Sequence, residues 1–108
     1  MEILKKLENN GVHIRYDDLV KICKKYQIIE LSVFGSSIRD DFNDNSDIDF
    51  LVSFEPTSRL SLYDIVDLKD DFKDLLNREI DIVEKEAMKN PIRKKRILST
   101  REVIYVHS

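Results

Sequence analysis

Apolar residues recur at helical spacing at the start of this chain. Ile3, Leu4 and Leu7 share one face of a helix over residues 2–9, and Asn10-Gly11 is a stop signal. Leu19, Ile22, Cys23 and Tyr26 lie at i, i+3, i+4 and i+7. They predict a second helix starting near Asp17, with Asp17 as its cap. From residue 28 the period changes. Ile28, Ile29, Leu31, Val33 and Phe34 read as a strand that Gly35 ends. A helical turn over 37–41 follows, and Asp44-Asn45-Ser46 is turn chemistry leading into a second strand, 47–54. Pro56-Thr57-Ser58 closes it.

The helical period then returns. Residues 62–76 carry Leu62, Ile65, Val66, Leu68, Phe72 and Leu75 as an apolar face, opposite Asp67, Lys69, Asp70 and Lys73, with Ser61 as the cap. Residues 79–83 read as a third strand. Pro91 is placed to start a short helix over 92–98, and residues 103–106 read as a last, edge strand open to pairing with another chain. Strand, helix, strand across 47–83 is a crossover unit, so those two strands are expected to be parallel neighbours. The link between the first two strands is too short for a crossover and implies an antiparallel pair. The expected fold is α+β: one domain, residues 1–108, with a small mixed sheet and helices packed on it.

Composition narrows the function. With 18 basic and 21 acidic residues the net charge is −3, which argues against direct nucleic-acid binding through a general basic surface. The basic residues that do cluster, Lys85, Lys89, Arg93, Lys94, Lys95, Arg96 and Arg101, read as a solvated face or as a surface for triphosphate, nucleic acid or an acidic partner. Cys23 is the only cysteine and sits on an apolar stripe, so it reads as core packing, and no intrachain disulfide can form. His13 and His107 are isolated and read as surface residues. No apolar run approaches the ~20 residues that span a bilayer, and the charged N-terminus is not a signal peptide, so a cytoplasmic location is expected.

The chemistry lies between the first two strands. Asp47 and Asp49 are two apart at the mouth of a strand, which points both carboxylates to one side. Like charges that close favour a bound cation, and carboxylate oxygens without His or Cys favour magnesium or manganese. Asp81, in the next strand, is expected beside Asp49. Three carboxylates beside a Gly-Ser turn suit metal-assisted nucleotidyl transfer, with two ions held by Asp47, Asp49 and Asp81. Asp81 is the candidate general base. Gly35 lets the backbone approach a phosphate, the Ser36 hydroxyl is placed to bind it, and Arg39 is placed to bind the same group bidentately.

At these residues the chain resembles the polymerase β-like nucleotidyltransferase superfamily. Within it the chain is similar to the minimal nucleotidyltransferases, the antitoxin halves of HEPN–MNT toxin–antitoxin pairs. The resemblance runs through Val33-Phe34-Gly35-Ser36-Ser37-Ile38-Arg39, Ser46-Asp47-Ile48-Asp49-Phe50-Leu51-Val52 and Ile80-Asp81-Ile82-Val83. It implies metal ligands at Asp47, Asp49 and Asp81, and nucleotide contacts at Gly35 and Ser36. Arg39 matches the arginine that commonly follows, while Asp40 stands where the family usually has glycine. The resemblance further implies transfer of AMP from ATP, with magnesium, onto a tyrosine of a cognate HEPN RNase toxin, which is thereby silenced. The chain's shortness independently favours an acceptor supplied by another chain. Two alternatives remain open in the sequence: nucleotidyl transfer to a small molecule, and a non-catalytic module that neutralises a toxin by covering it.

Overall fold

The computed structural model describes residues 2–9, 11–35 and 47–107. The elements run α1 (Glu2–Asn9), α2 (Tyr16–Lys25), β1 (Ile28–Phe34), β2 (Ile48–Phe54), α3 (Leu62–Leu76), β3 (Ile80–Glu84), a 3₁₀ turn (Lys85–Ala87), α4 (Pro91–Thr100) and β4 (Glu102–Val106). The four strands form one sheet in the order β3-β2-β1-β4. β2 and β3 are parallel, and β1 is antiparallel to both β2 and β4. The mixed sheet, the crossover through α3 and the edge position of the last strand are those expected from the sequence.

Alternation along β2 sorts its side chains onto two unlike faces. Ile48, Phe50 and Val52 point to one side and join the main core with Leu31, Val33, Leu19, Cys23, Leu68 and Phe72. The Phe50 and Phe72 rings meet at 4.7 Å between centroids and 46° between planes, locking α3 onto the sheet. Ile3 and Leu7 bring α1 into the same core. Cys23 is fully buried within it, and burial pushes its thiol up to about 12.

The opposite face carries Glu30, Ser32, Leu51 and Ser53. Leu51 is buried there, outside the main apolar cluster, as is Ile97 of α4. Polar links also cross it. The Ser53 hydroxyl donates to Glu86, Arg101 donates to Glu30, and Lys85 Nζ stands 3.5 Å from Glu30 Oε1. No helix among the described residues is long and apolar enough to cross a membrane.

Several boundaries and caps differ from expectation. α2 starts at Tyr16, so Asp17 and Asp18 lie inside its first turn and favour the positive end of the helix dipole, while Arg15 occupies the cap position. At α3 the cap is as expected, and it is reciprocal: Ser61 Oγ accepts from the Asp64 amide at 3.3 Å while Asp64 accepts from the Ser61 amide at 2.8 Å. Its apolar face is narrower than the pattern suggested. Leu68, Phe72 and Leu76 are buried, but Leu62 and Val66 are exposed. α4 begins at Pro91, with the Asn90 side chain accepting from the Ile92 and Arg93 amides. It runs two residues past Leu98, where the Ser99 and Thr100 hydroxyls each donate to the Arg96 carbonyl at 2.9 Å.

Candidate active site

Register places the candidate carboxylates. Asp49 pairs with Phe34 across the antiparallel ladder and with Asp81 across the parallel one. Register partners point to the same face, so Asp49 and Asp81 stand side by side on strands about 4.8 Å apart. The flanking residues fix that orientation. Ile48, Phe50 and Ile80 are buried on the helix-covered side, and a slip of one residue would drive the aspartates into the core. Asp49 is half-buried and Asp81 exposed, while Asp47 is exposed immediately before β2 begins.

Gly35 closes this end of β1 with φ at +70°, in the left-handed region where side chains are disfavoured. A β-carbon there would collide with Asp49 Oδ2 and lie 3.3 Å from Asp49 Cγ. Gly35 is therefore packed directly against the Asp49 carboxylate, and only glycine leaves that carboxylate in place. Gly35, Asp49 and Asp81 are thus brought together. Ser36, Arg39 and the expected helical turn over 37–41 lie outside the described residues, as does the turn at 44–46.

Among the described residues, no three His, Cys, Asp or Glu side chains are arranged to hold a metal ion. Asp49 and Asp81 meet as a pair, and a third ligand from Asp47 requires its exposed carboxylate to turn toward them. The donor set fits a hard divalent ion, since it offers carboxylate oxygens alone.

A second acidic region lies on α3, where Asp64, Asp67, Asp70 and Asp71 line a cleft with Lys25 and Tyr26. This one is tied into the packing. The Tyr26 hydroxyl donates to Asp71 Oδ2 at 2.6 Å, and Lys25 donates to the same oxygen at 3.1 Å. The tyrosine hydrogen bond, with Lys25 adding to it, holds Asp71 below the usual carboxylate range against the opposing effect of burial. Burial first, and Asp71 second, push Tyr26 up to about 12.

Glu30 is the residue of consequence that the sequence reading passed over. It anchors both Lys85 and Arg101 of the basic segment to the polar face. A lone carboxylate inside the apolar run 28–34 was the available signal. The rest of that segment divides as expected: Arg93, Lys95 and Arg96 are solvated.

Comparison with known proteins places the fold in a family. The model of the family Polymerase beta, Nucleotidyltransferase matches residues 17–108, and the chain belongs to that family. Among its relatives, MJ0128 of Methanocaldococcus jannaschii, a candidate protein adenylyltransferase, is 40% identical over 87 residues, covering 80% of this chain and 85% of the relative. The protein adenylyltransferase MntA of Thermococcus cleftensis is 35% identical over 83 residues, covering 77% of this chain and 79% of its own. A solved toxin–antitoxin structure with AMP-PNP superimposes with a TM-score of 0.70 at 15% identity, over 88% of this chain and 76% of that one. At that identity the likeness is one of fold.

Proposed function

We propose that this chain is a protein adenylyltransferase that moves AMP from ATP onto a tyrosine of a cognate HEPN-family toxin, acting as its antitoxin. The observation that carries the reading is the Asp49–Asp81 pair in register on adjacent strands, with Gly35 packed against Asp49. The relatives named as adenylyltransferases, and the fold shared with a toxin–antitoxin structure, support it. Residues 1–108 act as one nucleotidyltransferase domain in the cytoplasm.

The proposed reaction is one displacement. The acceptor hydroxyl oxygen forms a bond to the α-phosphorus of ATP, and the bond from that phosphorus to the α,β-bridging oxygen breaks. Pyrophosphate leaves with the electron pair, and the hydroxyl proton passes to the Asp81 carboxylate. Asp47, Asp49 and Asp81 would hold magnesium, which when bound neutralises triphosphate charge and favours departure of pyrophosphate. Gly35, packed against Asp49, leaves its own backbone free to approach phosphate, and Ser36 and Arg39 bind the same phosphates. The Asp81 edge of the sheet is exposed, as access for a protein-borne hydroxyl requires.

The test is intact-mass analysis of the toxin after incubation with this chain, ATP and magnesium. The expected result is added AMP, lost with the Asp47→Ala, Asp49→Ala double variant. A stable complex with no added mass would overturn transfer in favour of neutralisation by masking.

A further inference from the structure

The crest of α3 is apolar and open. Leu62, Tyr63 and Val66 are 84%, 84% and 57% exposed, and Ile92 of α4 is 74% exposed. Apolar residues this exposed and this close together mark an interaction surface. The groove, of about 390 Å³, has Leu62 and Ile65 on one wall and Met88, Lys89 and Arg93 on the other. Charge is divided across the same crest. On the groove side Lys89 and Arg93 outnumber Glu84, and on the far side Asp64, Asp67, Asp70 and Asp71 outnumber Lys25.

The chain therefore carries both halves of a complementary pair: an acidic, apolar-crested helix and an apolar groove with a basic wall. We propose that this surface binds a second copy of this chain, with two α3 helices side by side and pointing the same way. A twofold axis parallel to α3 lays the acidic flank of each copy over the Lys89–Arg93 wall of the other. A twofold axis perpendicular to α3 would instead set acidic flank on acidic flank, which is repulsive. The apolar crests of Tyr63 and Val66 meet at the centre, where burial drives association.

Sedimentation equilibrium across a concentration series, at low and high salt, is the first readout. A dimer that weakens as salt rises is expected. Tyr63→Glu and Val66→Glu should each weaken association by about tenfold or more, as loss of a central apolar contact does. Both positions are exposed, so circular dichroism should show the fold retained. Parallel helices make a second prediction. Tyr63→Cys and Val66→Cys should each form a disulfide with their own copy under mild oxidation, whereas Val106→Cys, exposed on the β4 edge, should not. The native Cys23 is fully buried and stays silent. A monomer at every concentration would overturn the proposal, and so would a dimer indifferent to both glutamates. Cross-linking at Val106 instead of the crest would assign the contact to edge-strand pairing. Self-linking at only one of the two crest positions would rule out the parallel arrangement. A different protein that needs Tyr63 and Val66 to bind, while this chain stays monomeric, would also overturn it.

Discussion

On one side of the sheet Ile48, Phe50, Val52, Leu31 and Val33 disappear under α2 and α3. On the other, Glu30, Ser32, Ser53, Asp49 and Asp81 share a face whose links to the 3₁₀ turn and to Arg101 are polar. The first face has no chemistry to offer and supplies most of the burial that holds the fold. The second gives up apolar burial, and in exchange presents carboxylates whose orientation is fixed from behind by the buried residues of the same strands. The difference teaches why a chain this small can hold like charges together. The positions flanking the aspartates, Ile48 and Phe50 on β2 and Ile80 and Ile82 on β3, anchor the strands in the core and so hold the aspartates in register.

If the two faces divide the work in this way, substitutions on each should separate activity from stability. The largest expected effect is on the polar face. Asp81→Asn should lower AMP transfer by about 10²–10⁴-fold, the usual contribution of a general base, while the urea midpoint stays close to that of the parent. On the apolar face Phe72→Ala should cost about 3–5 kcal/mol in urea unfolding. Transfer per folded molecule should change little. Equal losses of activity and stability in either variant would break the division.

Gly35→Ala sits on the boundary. Forcing alanine to φ +70° costs about 1–2 kcal/mol and also displaces the Asp49 carboxylate, so transfer should fall by more than the stability loss accounts for. The smallest effect is expected at the edge of the apolar core. Tyr26→Phe removes the hydrogen bond to Asp71 and should cost roughly 1.5 kcal/mol near neutrality, the low end for a charged acceptor because Asp71 is partly solvated. Asp71 is held below its ordinary range, so its contribution is present above an unfolded pKa of about 3.9 and is lost as pH falls through the lower folded value. The gap between parent and variant in urea titrations should close accordingly below about pH 4.

How much of this was legible beforehand differs between the two faces. Leu68 and Phe72 were readable as core because helical spacing repeats them over a whole helix. Asp49 and Asp81 were readable as neighbours because the crossover length forces β2 and β3 to be parallel and adjacent. Leu62 and Val66 were misread as buried, since periodicity reports which residues share a stripe but not how far the neighbouring layer extends. α3 reaches beyond the elements that cover it, and its first turns stay open. The cap of α2 was misassigned because an aspartate inside the first turn and one at the cap look alike in sequence. Glu30 went unnoticed because its partners, Lys85 and Arg101, are separated from it by most of the chain.

The central claim is that the paired strand-end aspartates, and not the acidic flank of α3, take up the metal–nucleotide complex. Paramagnetic broadening of the amide NMR spectrum by substoichiometric manganese, with a non-hydrolysable ATP analogue present, tests it directly. The account predicts loss of signal confined to Gly35, residues 47–50 and residues 80–82, and recovery of those signals in the Asp49→Asn variant. Broadening centred on Asp64, Asp67, Asp70 and Asp71, unchanged by that substitution, would contradict it.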